Sequence, residues 1–213
     1  MITLDIFHDP ICPWCHIGKA RLERALESRP DHPFAIAWHP FQLNPTMPKD
    51  GMDRRAYLEA KFGGAESARK AYAPVVEIML KEMPKTDLLA IQRTPNTLNA
   101  HRLIHWAGLE GRQTPMVSSL YRAYFQEGRD IGDIDTLVDL AEGVEMDGAL
   151  VRRLLTSDAD LEEIQKRDQH ARDRGVNAVP LFIVGNRHAV EGAQPPELWQ
   201  QVIDELLAQE HDA

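Results

Sequence analysis

The segment Leu4-Asp5-Ile6-Phe7-His8-Asp9-Pro10-Ile11-Cys12-Pro13-Trp14-Cys15-His16-Ile17-Gly18 passes from a strand to a helix across a pair of cysteines. Leu4 to Phe7 reads as a short strand and His8 to Ile11 as the loop that leaves it. Pro13 suits a first helical turn, because its missing N–H would have had no intrahelical partner there. Ile17, Leu22, Ala25 and Leu26 then supply apolar positions until Pro30 and Pro33 stop the run. Phe34-Ala35-Ile36-Ala37-Trp38 follows as a second strand, and a right-handed crossover makes the two strands parallel neighbours.

Outward from this unit, Asn44-Pro45-Thr46-Met47-Pro48 is a turn-rich exit, after which helical spacing dominates. Ala100, Leu103, Ile104 and Ala107 mark one helix, and Met116, Leu120, Tyr121, Tyr124 and Phe125 a second that ends by Gly128. Leu137, Leu140, Ala141 and Val144 mark a third, with Asp135 expected as its N-cap. Pro74 is expected to kink or restart the helix around it. Asp158 to Arg174 reads as a long, charged, mostly exposed helix ended by Gly175. The pattern then changes: Leu181 to Val184 is a strand, Gly185-Asn186 a tight turn, Arg187 to Glu191 a returning strand, and Pro195-Pro196 opens a last helix. The order is β-α-β, a helical block, then β-β-α.

Composition bounds what such a protein does. A chain of 213 residues with 43% hydrophobic content can bury a substantial core. With 24 Lys and Arg against 33 Asp and Glu, its net charge of -9 disfavours nucleic acid and anionic lipid as partners. No apolar run reaches the roughly 20 residues that span a bilayer. The start, Met1 to Phe7, lacks the pattern of a secretory signal, so a cytoplasmic location is expected. Two cysteines cannot staple a fold of this size, and in a reducing compartment a close pair is more often catalytic or metal-binding.

Cys12 falls at the N-terminus of the first helix, where unpaired N–H groups and the helix dipole stabilise a thiolate. It is the candidate nucleophile. Cys15, one turn on, is the candidate resolving thiol, which attacks the mixed disulfide at Cys12 and releases the substrate. A fortuitous buried pair is the plainest alternative. Cys12, Cys15 and His16 also fit the C-x-x-C-H pattern of covalent haem attachment, but that assembly follows export and no signal is visible. A zinc site built from His8, Cys12, Cys15 and His16 lacks a distant second arm of ligands, so no metal is expected.

Asp9-Pro10-Ile11-Cys12-Pro13-Trp14-Cys15-His16-Ile17-Gly18, Pro95 to Leu103, Val176 to Val184 and Gly192-Ala193-Gln194-Pro195-Pro196 together resemble the DsbA-like thioredoxin family, within it the subgroup associated with polyketide-biosynthesis oxidoreductases. The resemblance implies an α/β thioredoxin fold with a large all-helical insertion. Residues 1–45 and 166–213 are then the two halves of the thioredoxin domain, and 46–165 the insertion. It also implies a disulfide oxidoreductase, reductase or isomerase with no tightly bound cofactor. In that family the proline of a Val-Pro pair stands just before the third core strand, so Val179-Pro180 is expected to be cis and to lie against Cys12. Its backbone and Trp14 are the candidate substrate-binding elements.

Glutathione-dependent isomerases and kappa-class glutathione transferases look similar in fold but place a serine near the first cysteine position; this sequence keeps both thiols. By resemblance to them, Gly192, Ala193 and Gln194 form a candidate glutathione-binding triplet, with an ordinary helix cap as the alternative. Asp9 is a candidate proton acceptor for Cys15 or a plain turn residue, and His16 a candidate cation near the thiols or a solvent-facing residue. Pro13 and Trp14 are candidate tuners of the redox pair, and His101 either points into the cleft or is a satisfied helix residue. The expected partners are peptides or small molecules carrying thiols or disulfides, with glutathione a candidate co-substrate. A glutathione-dependent isomerase or transferase of the kappa-class type is the alternative enzyme, and a chaperone-like binding protein that merely retains the cysteines is the alternative from another class. Oligomeric state is not legible.

Overall fold

A computed structural model describes the backbone of residues 1–211 and the side chains of residues 1–209. Strand β1 (Ile2–His8), helix α1 (Pro13–Ser28) and strand β2 (Phe34–Pro40) form the parallel unit, with Leu4 opposite Ile36 and Ile6 opposite Trp38. Strands β5 (Leu181–Val184) and β6 (His188–Glu191) pair antiparallel with one another, and β5 runs antiparallel to β1, giving the order β2-β1-β5-β6. Gly185 and Asn186 both have positive φ and the Arg187 N–H donates to the Val184 carbonyl at 3.1 Å; because Val184 stands opposite His188, Arg187 belongs to the turn and the return strand starts at His188.

Alternation along β1 sends Leu4, Ile6 and His8 to one buried face. There α1 packs with the last helix, α9 (Pro196–His211), and the Phe182 and Trp199 rings meet edge-on at 4.8 Å. On the opposite face Phe41, Ala171 and Val176 form a second small cluster, against which Phe7 and Leu181 pack. Ala171 comes from helix α8 (Leu161–Asp173), which also packs on β2 and starts three residues later than the charge pattern indicated. The expected domain boundary at 165/166 therefore falls inside one continuous helix.

The insertion holds α2 (Arg54–Phe62), α3 (Ala65–Glu82), α4 (Leu98–Leu109), α5 (Gln113–Phe125), α6 (Ile134–Glu142) and α7 (Gly148–Leu155). A two-residue ribbon, β3 (Met52–Asp53) with β4 (Arg93–Thr94), brackets α2 and α3 and is too short to leave a periodic signal. Pro74 does not break α3, which runs through it unbroken. The N-cap of α6 is Asp133, whose carboxylate accepts from the Thr136 N–H at 2.8 Å; Asp135 stands in the first turn instead. Within the Pro95 to Leu103 motif, Arg102 is buried and donates to the Leu154, Ser157 and Ala159 carbonyls, so it closes the C-terminal end of α7.

Candidate active site

Cys12 is the N-cap residue of α1, with φ -82 and ψ 115, and Pro13 follows it in the first turn. No acidic residue stands in that turn, so nothing there opposes an anion at the N-terminus. The Val179-Pro180 bond is cis, and the Cys12 thiol donates to the Val179 carbonyl at 3.7 Å although 167 residues separate them. Pro180 is buried on α1: a Cβ added at Gly18 would meet its Cγ at 3.1 Å. Glycine at 18 is what lets the loop come this close to the helix.

Cys15 lies one turn deeper and is also buried. Burial pushes its thiol well above the usual range, the adjacent Cys12 sulfur adds to the rise, and hydrogen bonding with the Asp9 backbone partly opposes it. Asp9 is enclosed completely. Its carboxylate accepts from the Leu43 N–H at 2.7 Å and the Ile11 N–H at 3.3 Å, and Thr97 adds a side-chain hydrogen bond. Burial nevertheless outweighs these and lifts its pKa from 3.8 to about 7. A carboxyl poised there exchanges protons at neutral pH.

His16 is neither solvent-facing nor a cation. It lies buried, stacked on Phe125 at 4.9 Å and on Tyr121 at 5.0 Å, with both ring nitrogens lacking a partner. Burial, reinforced by the Lys19 charge, depresses its pKa to about 3, so it is neutral near pH 7. Burial holds His101 at about 3 as well; it lies edge-on to His8, and its Nε2 has no partner. Tyr121 completes this floor: its hydroxyl lies 2.9 Å from His8 Nδ1, and burial, then the Cys15 and Cys12 sulfurs, raise its pKa.

The thiol edge opens into a cleft of about 330 Å³ between the sheet domain and the insertion. Cys12, Pro13, Trp14 and Val179 line one wall, and the insertion supplies Arg54, Tyr57, Lys61 and Tyr72 to the other. Trp14 is 36% exposed at the rim. Hollows of about 540 and 590 Å³ behind the sheet and within the insertion are larger, but neither is lined by a sulfur, and the chemistry selects the smaller one. Gly192, Ala193 and Gln194 do not line the cleft. They precede α9 behind the proline loop, with the Gly192 N–H donating to the Pro180 carbonyl and the Ala193 carbonyl accepting from Arg21. Among the described residues no group of three or more His, Cys, Asp or Glu side chains is arranged to hold a metal ion.

Residues 3–204 match the DSBA-like thioredoxin domain family. The chain belongs to that family. This DsbA-like protein is 29% identical to a probable DsbA oxidoreductase from Streptomyces coelicolor, with a TM-score of 0.85 over 98% of this chain and 91% of that one. Its backbone also matches the cytosolic disulfide reductase DsbM from Pseudomonas aeruginosa, solved with GSH, at a TM-score of 0.64 and 18% identity over 97% and 99% of the two chains. An uncharacterized Bacillus subtilis protein, YwbO, is 27% identical over 206 residues, 96% of each chain. The thioredoxin fold and membership of a thiol oxidoreductase family follow. Among the described residues no helix is long and apolar enough to cross a membrane.

Sequence reasoning missed the insertion's wall of the cleft. Arg54, Tyr57, Lys61 and Tyr72 sit in ordinary amphipathic helices, and no local motif sets them apart. In the sequence Tyr121 marks only an apolar helix position, since its hydroxyl finds His8 across 113 residues of chain.

Proposed function

We propose that this protein is a thiol-disulfide oxidoreductase, a reductase or isomerase acting on peptide or small disulfides, with Cys12 as nucleophile and Cys15 as resolving thiol. The observation that carries the reading is the placement of Cys12: an N-cap thiol facing the Val179 carbonyl beside a cis proline, at the edge of a cleft.

In the forward direction the Cys12 thiolate attacks one sulfur of a substrate disulfide and expels the other as a thiolate. Cys15 then loses its proton and attacks the Cys12 sulfur of the mixed disulfide, expelling the second substrate thiolate and leaving a Cys12–Cys15 disulfide. Two external thiols, with glutathione as the candidate reductant, return the pair to dithiol and become a disulfide themselves. Deprotonating a thiol as buried as Cys15 needs a base, and Asp9 fills that role, being half-ionised near pH 7 and within electrostatic reach of the sulfur. The extended Val179 backbone and Trp14 supply the docking surface for the substrate. Likeness to the cytosolic reductase, and its structure with GSH, support a cytoplasmic setting and glutathione as co-substrate.

A redox titration in glutathione buffers tests the direction. A potential near the cytosolic glutathione poise fits a reductase or isomerase, and a much more positive one assigns an oxidant. Failure of the two cysteines to form an internal disulfide at any ratio would overturn the reading.

A further inference from the structure

Most cations on this protein have evident partners. Arg21 pairs with Glu82, Arg29 with Asp204 and Arg112 with Glu145, while Arg102 is satisfied by carbonyls at a helix end. Arg54 differs. Only 8% exposed, it reaches hydroxyls alone: Tyr72 at 2.6 Å, Thr94 at 3.3 Å and Tyr124 at 3.4 Å. Lys61, two turns along the same helix, donates to the Tyr57 hydroxyl at 2.8 Å. Among the described residues neither cation has a carboxylate within ion-pair distance. The nearest acids of α2 are engaged elsewhere: Asp53 caps the helix on the Ala56 N–H, and Glu59 holds Arg55.

Both cations line the same cleft as Cys12, and the Tyr72 hydroxyl that accepts from Arg54 feels the Cys12 charge. A buried guanidinium without a counter-charge is costly in an isolated protein, and the cost is relieved when an anion arrives. Neutral hydroxyls orient the guanidinium without cancelling it. In a chain of net charge -9, the reactive cleft is lined by two cations and by no Asp or Glu, the opposite of the average surface. A cleft of about 330 Å³ is at the small end of ligand sites, sized for a small molecule.

We propose that Arg54 and Lys61, framed by Tyr57 and Tyr72, form a carboxylate-recognition site on the insertion wall, so that the preferred substrates are small disulfides carrying a carboxylate a few bonds from the sulfur. The site rests on the oxidoreductase reading above. Its role is to hold the acidic tail on the insertion side while the disulfide lies against Cys12 and the Val179 carbonyl. The exchange is the one already described; the carboxylate changes neither its electrons nor its protons.

The test compares reduction of dithiodipropionate, which carries carboxylates, with neutral hydroxyethyl disulfide and cationic cystamine, each rate normalised to that with dithiothreitol. Wild type is expected to favour the dicarboxylate over the neutral disulfide by about tenfold in kcat/KM and to disfavour cystamine. Lys61→Gln is expected to lower the preference about threefold and Arg54→Gln to abolish it, mainly through KM. Lys61 is exposed, so its variant still tests the site if Arg54→Gln fails to fold. Equal normalised rates for the three disulfides in wild type would overturn the proposal while leaving the oxidoreductase intact. So would variants that slow all three by the same factor, since the cations would then serve only the Cys12 thiolate. Reduction of none of the three would instead count against the oxidoreductase reading itself.

Discussion

Replacing Asp9 with asparagine isolates the charge that the buried thiol site must accommodate. The folded protein holds the Asp9 proton up to about pH 7, whereas the unfolded chain releases it near 3.8. Between those values the folded state binds more protons, so the Asp9 contribution to stability falls as pH rises, and the penalty is complete above the folded pKa. A rise from 3.8 to about 7 corresponds to about 4 kcal/mol. Part of the gain from removing the charge is lost in the variant, because an amide oxygen is a weaker acceptor for the Leu43 and Ile11 N–H groups. Asp9→Asn should therefore stabilise the reduced protein by about 3 kcal/mol at about pH 8.5 and by under about 1 kcal/mol at about pH 5. Urea denaturation of both proteins at the two pH values gives the difference directly, and the buried histidines cancel in it. In stopped-flow exchange the same variant should slow the release of substrate from Cys12 by about a hundredfold. A stability difference that does not change with pH would refute the buried-carboxyl argument, and unchanged release would remove Asp9 as the base.

Two further outcomes follow from the packing around the thiols. Gly18→Ala places a methyl 3.1 Å from the Pro180 ring and 3.3 Å from Phe182, and should cost about 1–2 kcal/mol in thermal or urea melts while slowing exchange. His16 and His101 both titrate near 3 in the folded state, so they favour unfolding as pH drops from about 6.5 toward 3. His16→Phe keeps the stack on Phe125 and removes two unpartnered nitrogens, so it should flatten the acid limb of the stability curve; an unchanged limb counts against a buried neutral His16.

The thioredoxin frame was legible because its signals are local. A strand, a proline at the start of a helix, a Cys-x-x-Cys spacing and a Val-Pro pair before a strand can each be read within ten residues. What escaped depends on burial and distance. Nothing near His16 in sequence reveals that two aromatic residues from α5 pack against it, so its expected charge was wrong in sign of effect: burial removes the proton. Asp9 looked like a turn or cap residue, and only its enclosure by Leu43 and Thr97, from separate segments, turns it into a group titrating near neutrality. The cationic wall of the cleft was hidden for a similar reason, since Arg54 is distinguished by the partners it lacks.

The central claim is the division of labour between the two sulfurs, and trapping tests it most directly. Cys15→Ser and Cys12→Ser variants are each incubated with a disulfide substrate, quenched with acid and alkylating agent, and mapped by mass spectrometry. Cys15→Ser should accumulate a mixed disulfide on Cys12, while Cys12→Ser, left with a buried thiol of raised pKa, should trap nothing. Equal trapping by the two variants, or by neither, would contradict the assignment.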